Sequence, residues 1–293
     1  MDNSPKSGYI LALGAFILWG LAPIYFKLIS NVPPFEIVAH RAVWSVITLG
    51  LILFIINRNF TKKLIERSKE DFRLLMLAAC LLTSNWLVFI YAISADKILE
   101  ASLGYYINPL LNIAIGSLFL NERLSSLQKI AVMLAIVGVT QELVRFGQLP
   151  WISLFLAATF AVYGLIRKQI KTQGTEGLLI ETLFMLPIAI VYLMYLYNKD
   201  SMTFYFAGQS TTILLMLAGL VTSIPLILFI GASKRLKYST LGLFQYIGPT
   251  IMGILGYYIY NEAFSEGRLM TFALVWLGLA LTVFESIRNR RKG

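Results

Sequence analysis

The chain has 293 residues, of which 58% are hydrophobic and 14% charged, with a mean hydropathy of +0.73 and a formal net charge of +10. So little polar surface cannot coat a soluble globule of this length, and a bilayer supplies the missing solvent. One histidine and one cysteine exclude an intrachain disulfide and a zinc site built from those two residue types.

Crossing a hydrocarbon core of about 30 Å takes roughly 20 apolar residues in a helix, and helices are the spanning form that satisfies its own backbone. Ten such runs lie between charge clusters, at about 9–29, 35–56, 72–94, 99–120, 128–146, 150–168, 177–197, 212–233, 238–260 and 268–286. The first lacks a small-residue cleavage site and is followed by nine more, so it is expected to be retained rather than removed as a signal peptide. It carries Trp19 near its centre, away from the interfacial belts where Trp is usually enriched.

The second run opens with Glu36 and holds His40 and Arg41 about 10 Å in from Pro34. Glu36 and His40 share one face a turn apart, a pair that could pass or store a proton because His titrates near neutrality. Arg41 either binds a substrate carboxylate or neutralises a buried Glu and holds two helices in register. The third run contains Cys80, and Asn85 beside a central Trp86, whose flat face suits a planar or cationic ligand; the alternative for Trp86, as for Trp19, is plain bundle core.

The fourth run is the richest in polar groups at membrane depth. Glu100 lies in its first turn, where a negative charge suits the helix N-terminus. Tyr105, Asn108 and Asn112 recur at i, i+3 and i+7 on one face, and Pro109 frees a backbone carbonyl there, giving a substrate acceptor or a hinge. The asparagines otherwise serve as interhelical glue. Glu142 and Arg145 in the fifth run satisfy each other at i, i+3. Tyr163 is central in the sixth and Glu181 lies about a turn inside the seventh. Gln245, Tyr246, Gly248, Pro249 and Met252 in the ninth match the fourth run's face with fewer polar groups. Trp44, Trp151 and Trp276 read as packing or interface anchors, and Glu122, Glu262 and Glu266 as loop residues.

Placing both termini in the cytoplasm puts nineteen of the 25 Lys and Arg residues on that side, five outside and Arg41 within a span, which the positive-inside bias requires. The net charge is therefore topological, facing an anionic inner leaflet, and no basic domain remains to hold nucleic acid.

The chain is also duplicated. YYINP (Tyr105–Pro109) and QYIGP (Gln245–Pro249) lie 140 residues apart, and the same offset aligns Asn121-Glu122 with Asn261-Glu262 and Gly138 with Gly278. Offsets of 144 and 145 align Trp19-Gly20 with Tyr163-Gly164 and Glu36 with Glu181. Five spans per half is odd, so the second copy enters the membrane in the opposite sense. The expected architecture is an all-α membrane protein of ten transmembrane helices, arranged as two inverted-topology five-helix repeats over residues 1–147 and 148–293.

The segments HRAVWS (His40–Ser45), NWLVFIYA (Asn85–Ala92), EASLGYYINPL (Glu100–Leu110), YGLIRK (Tyr163–Lys168) and STLGLFQYIGPT (Ser239–Thr250) resemble those of the RarD group, in the EamA branch of the drug/metabolite transporter superfamily. The resemblance runs along essentially the whole chain. It implies a ten-helix, multi-pass inner-membrane carrier of small polar or amphiphilic metabolites or drugs, working outward with ion coupling; the group is associated with chloramphenicol by name.

No P-loop, H-E-x-x-H or G-x-S-x-G segment is present. Movement of a small-molecule solute by alternating access, driven by its own gradient or by protons and with no cofactor or obligate protein partner, is the reading that remains. Against it stands an intramembrane enzyme or lipid-handling protein using Glu36 and His40 as acid and base; a channel is disfavoured because no filter sequence repeats.

Overall fold

A backbone that must bond to itself in hydrocarbon becomes helix, and the described residues are almost wholly helical. The computed structural model describes residues 5–56, 71–119, 124–146, 149–170, 175–206, 208–233, 235–236, 244–263 and 266–290. Among these there is no strand. The long helices are α1 (Pro5–Leu28), α2 (Pro34–Ile56), α3 (Phe72–Ser94), α4 (Ile98–Phe119), α5 (Ser126–Phe146), α6 (Trp151–Gln169), α7 (Thr175–Asn198), α8 (Gln209–Ser233), α9 (Ile247–Ile254, continued by a π turn over Leu255–Ile259) and α10 (Glu266–Arg290). One further turn, Thr203–Phe206, sits between α7 and α8. Five helices, α1, α2, α3, α7 and α8, contain stretches long and apolar enough to cross a membrane among the described residues.

Local chemistry sets the boundaries. Pro34 opens α2 at the position where a missing N–H is harmless, and Glu36 in the first turn complements the helix dipole. Asp96 and Asp200 adopt left-handed backbone (φ 55° and 52°) just past α3 and α7, a conformation that Asp tolerates better than most residues. The ninth helix differs from expectation. Helix α9 starts at Ile247, so Gln245 and Tyr246 form a turn between Phe244 and it, and Pro249 lies in its first turn rather than in a helix interior. Pro249 therefore removes no interior hydrogen bond, whereas its counterpart Pro109 is well inside α4.

The helices pack in an alternating up-and-down arrangement, with three antiparallel pairs that join corresponding members of the two halves. In the α2–α7 pair, Phe35 meets Tyr192 at 6.4 Å near one end, while Leu49 and Leu53 pack with Leu178 and Leu179 near the other. In the α4–α9 pair, Tyr106 stacks on Tyr246 (6.5 Å, 16°), its hydroxyl lies 2.6 Å from Thr250 Oγ1, and the Ser102 hydroxyl donates to the Pro249 carbonyl at 2.7 Å. In the α5–α10 pair, Ser125 Oγ donates to Glu285 Oε2 at 2.7 Å and Gln141 Nε2 to the Gly267 carbonyl at 2.8 Å.

The α5–α10 seam contains one contact written twice. A Cβ on Gly278 would lie 3.0 Å from the Ala131 carbonyl oxygen, and one on Gly138 would lie 3.4 Å from Thr271 Cα. Shifting each residue by 140 positions converts one contact into the other. The remaining pairings follow the same exchange: α1 packs on α8 and α9, and α6 packs on α3 and α4.

The π turn explains a residue that the sequence reading left in a loop. Tyr260 N–H bonds back to the Leu255 carbonyl and Glu262 N–H to that of Gly256, both at 2.9 Å, and Asn261 takes a left-handed φ of 53°. This fold-back buries the Glu262 carboxylate, which accepts the backbone N–H groups of Ile98 at 2.6 Å and Leu99 at 2.8 Å. Glu262 thus satisfies two orphan donors at the start of α4 and bonds the segment after α9 to that helix end. The aligned Asn121 and Glu122 lie outside the described residues.

At Gly219, α8 comes very close to the backbone of α2. A Cβ added at Gly219 would stand 2.4 Å from the carbonyl carbon and oxygen of Trp44, whereas one at Gly50 would meet nothing within 4 Å. Gly219→Ala is therefore expected to destabilise the protein by about 1–3 kcal/mol through overpacking, read as a lower unfolding midpoint in detergent. Gly50→Ala is the control, and it should hold or raise the midpoint; equal behaviour of the two would contradict this packing.

Candidate functional site

Helix α2 carries Glu36, His40, Arg41, Trp44 and Ser45 into the bundle within about 17 Å of its length, and all but Trp44 are buried as whole residues. Arg41 is only 6% exposed. Its guanidinium lies 4.2 Å from the ring centroid of Trp86 on α3 and 5.2 Å from that of Phe26 on α1, a cation–π arrangement that strengthens once water is excluded. Arg41 Nε donates to Thr222 Oγ1 on α8 at 3.0 Å, and Nη1 has no hydrogen-bond partner. Thr222 is held in turn by its own donation to the Ala218 carbonyl at 2.8 Å.

The expectation that Arg41 neutralises a buried Glu is corrected. The ion pairs among the described residues are Lys27–Asp96, Glu36–His40 and Arg167–Glu181, so no carboxylate meets Arg41. The bond to Thr222 does tie α2 to α8. Around the guanidinium lie further aromatic groups: Phe89 is 5.9 Å from both Phe26 and Tyr105, and the Tyr105 hydroxyl points to Asn85 Oδ1 at 3.5 Å. Tyr25 on α1 donates to the Leu214 carbonyl at 2.5 Å.

One turn nearer the helix start, Glu36 Oε1 accepts the backbone N–H of Phe204 at 3.0 Å and stands 3.9 Å from His40 Nε2. The His40 ring stacks on Phe204 at 4.6 Å and 23°. The turn over Thr203–Phe206 thus seals this pair from the end of the bundle. Glu36 Oε2 and both His40 nitrogens have no hydrogen-bond partner.

Glu181, aligned with Glu36 in the duplication, has a different environment. Its carboxylate accepts Arg167 Nη1 at 2.9 Å and the Tyr163 hydroxyl at 3.1 Å. These partners come from α6, so the trio joins the end of α6 to the start of α7. Phe160 connects the two regions, 5.9 Å from Tyr163 and 6.3 Å from Tyr105.

The other expected site residues divide clearly. Asn85 Nδ2 donates to the Leu156 carbonyl at 3.0 Å and Thr159 Oγ1 at 2.9 Å, and Asn108 Nδ2 to the Ala157 carbonyl at 3.5 Å. Both amide nitrogens are thus engaged with α6, the helix-joining alternative. Trp19 stands apart from Arg41, in a cluster with Phe16 at 5.3 Å and Phe229 at 5.6 Å. Glu100 is buried in the first turn of α4, where its backbone carbonyl accepts Ser153 Oγ at 2.6 Å. Gln245 is half-buried in the turn before α9, beside Tyr246 and away from the helix face assigned to it. The side chains of Asn112, Glu142 and Arg145 lie outside the described residues.

Sequence reasoning missed Phe26, Thr222, Phe204 and the partnership of Arg167 with Glu181. Arg167 alone carried a signal, as a cation placed one turn from Tyr163 and next to the Glu181 helix. Phe26, Thr222 and Phe204 are ordinary residues of apolar runs or loops, identified by what folds against them.

Residues 6–141 match the EamA-like transporter family. A Salmonella typhi protein named RarD is 46% identical over 290 residues, covering 98% of each chain. An uncharacterized transporter of Vibrio cholerae is 44% identical over 287 residues, covering 98% of this chain and 95% of its own length. A crystal structure 17% identical in sequence superposes with a TM-score of 0.62 over 97% of this chain and 98% of its own, which establishes the shared fold.

The Arg167–Glu181 pair makes a direct stability test. Glu181 is 1% exposed and Arg167 19%, so Arg167→Met strands a buried charge and should cost about 3–5 kcal/mol. Combining it with Glu181→Leu should recover most of that loss in the detergent unfolding midpoint. Additive losses would mean that the two residues do not act as a pair.

Proposed function

Because this chain belongs to the RarD group of the EamA-like transporter family, we propose that it is a secondary carrier of the bacterial inner membrane, moving small polar or amphiphilic metabolites or drugs outward in exchange for protons. Its two halves, residues 1–147 and 148–293, act as inverted repeats that rock against each other, with both termini cytoplasmic. The observation that carries this reading is the set of three antiparallel pairings between corresponding helices, together with the doubled glycine contact of α5 and α10. An axis in the membrane plane generates such pairings, and the same symmetry lets one site open alternately to two sides.

Two polar latches at opposite ends of the bundle fit that cycle. Arg167, Tyr163 and Glu181 close the end where α6 meets α7. Glu36, His40 and Phe204 close the other, where α2 begins. Glu181 has its ion pair and its phenol, so it serves the closed gate. Glu36 and His40 retain unpartnered buried atoms, and they are the groups assigned to proton coupling. Titratable residues at membrane depth persist because function requires them. Substrate occupies the aromatic compartment between the latches, with Trp86 and Tyr105 as walls and Pro109 as the flexible point of α4.

Inside-out vesicles with and without the protein, compared for accumulated small-molecule pools under an imposed pH gradient, test the reading. Saturable, protein-dependent accumulation is expected, reduced at least tenfold by Trp86→Ala and made insensitive to the gradient by Glu36→Gln. Accumulation that persists unchanged after the gradient is dissipated would remove proton coupling and leave the carrier standing. Chemical turnover of the solute without vectorial movement would replace the carrier with an enzyme.

A further inference from the structure

We infer that the cargo is a singly charged organic acid whose carboxylate is received by Arg41, with an apolar, flat body lying against the aromatic compartment; this rests on the carrier reading and narrows its substrate class. Arg41 is a permanent cation, 94% buried by its 6% exposure, and no carboxylate pairs with it among the described residues. A guanidinium removed from water without a counter-charge is strongly unfavourable. The rings of Trp86 and Phe26 offset part of that penalty, and a neutral hydroxyl, that of Thr222, takes only Nε. Nη1 remains without a partner and closed to solvent.

Other unpaired donors lie close by along the same two helices. Ser45 is one turn along α2 from Arg41, and Ser223 directly follows Thr222 on α8. Both are 0% exposed, and neither hydroxyl has a hydrogen-bond partner. Serines in helices commonly bond back to the preceding turn, as Thr222 does, so two that do not, beside an unpaired guanidinium, form a set of donors lacking an acceptor. A carboxylate supplies one negative charge and two acceptor oxygens with four lone-pair directions. Charge balance limits the ligand: one guanidinium matches a monoanion, while a dianion would restore a buried net charge. The apolar walls of Phe89 and Tyr105 require that the rest of the ligand be apolar and favour a planar one.

The test is a binding measurement on purified full-length protein in detergent, which requires no transport. The probes are three pairs, each a monocarboxylate and its uncharged amide: benzoate and benzamide, phenylacetate and phenylacetamide, N-acetylphenylalanine and its amide. At least one acid is expected to raise the unfolding midpoint saturably, with its amide at least tenfold weaker. Arg41→Gln should abolish the preference for acid over amide, and Arg41→Lys, which keeps the charge but loses the fork, should retain part of it. In the absence of ligand, Arg41→Gln should unfold at the same temperature as the parent or higher, because an unpaired buried charge has been removed; a purely structural Arg41 would lower it. The inference is overturned if no acid binds, if amides bind as well as acids, or if Arg41→Gln binds the acids undiminished. Any of these results alongside saturable flux in the vesicle assay would sink the acid specificity and leave the carrier, whereas acid binding without flux would do the reverse.

Discussion

A polar group in a protein's membrane-buried interior has no bulk water to bond, so each must find a partner inside the protein or remain unfavourable. Most of this chain meets that demand through bonds between helices. Glu262 closes the start of α4, Ser102 and Tyr106 bind α9, Asn85 and Asn108 bind carbonyls of α6, and Thr271 binds the carbonyl of Gly138. The exceptions are concentrated. Among the described residues nine buried side-chain atoms have no partner, and seven belong to Glu36, His40, Arg41, Trp44, Ser45 and Ser223. Random imperfection would scatter such atoms over ten helices, but these lie on α2 and the stretch of α8 that faces it. The carrier reading assigns this stripe to a ligand, a proton or both.

Much of this architecture was legible in the sequence because it rests on long, redundant signals. Ten apolar runs of spanning length do not depend on any one residue, and the offset of 140 residues was carried by several matched positions at once. Gly138 and Gly278 illustrate this: matched by spacing alone, they make α5–α10 contacts, with Thr271 and Ala131, that the same offset relates. Glu36 and His40 were paired by helical periodicity, and the structure brings them together. What the sequence could not supply was partnership between distant segments. Nothing local marks Thr222 as the acceptor for Arg41, Phe204 as the cover on His40, or Glu262 as the carboxylate that closes a helix some 160 positions earlier. A break inside span nine was missed for a related reason. Its hydropathy continues through Gln245 and Tyr246, but hydropathy does not report the turn that precedes Ile247. Asn85 and Asn108 looked like ligand groups because polarity at depth was visible and the carbonyls of α6 were not.

Residues related by the 140-residue offset share packing contacts while their polar chemistry differs. Positions that set how the halves meet remain equivalent, as in the stacking of Tyr106 on Tyr246 and the glycine contacts of α5 and α10. Positions facing the interior do not: Tyr105 aligns with Gln245, Asn108 with Gly248, and Trp19 with Tyr163. Glu36 and Glu181 keep the same residue type in different surroundings, one beside an unpartnered histidine and one in a complete ion pair. In the carrier reading, symmetry matters for the mechanics, since two conformations of similar free energy follow from halves that can exchange roles. A small asymmetric solute gains nothing from a symmetric pocket, so the lining is free to specialise.

The position of α2 connects chemistry to motion. Its packing partners include α7 and α8, both in the second half, and its polar groups divide their contacts between halves. Arg41 rests on rings of Phe26 and Trp86 from the first half while donating to Thr222 of the second. Glu36 accepts from Phe204, also of the second half, and His40 stacks on the same residue. In the carrier reading, a ligand at Arg41 or a proton on the Glu36–His40 pair therefore alters bonds that cross the seam between halves. A solute shifts a conformational equilibrium only by its differential affinity for the two states. Groups anchored wholly within one half would bind without favouring either state, whereas groups that straddle the seam couple occupancy to opening. The close contact of Gly219 with the Trp44 backbone lies on that seam, which lets α2 and α8 approach closely enough for such short side-chain bonds to span it.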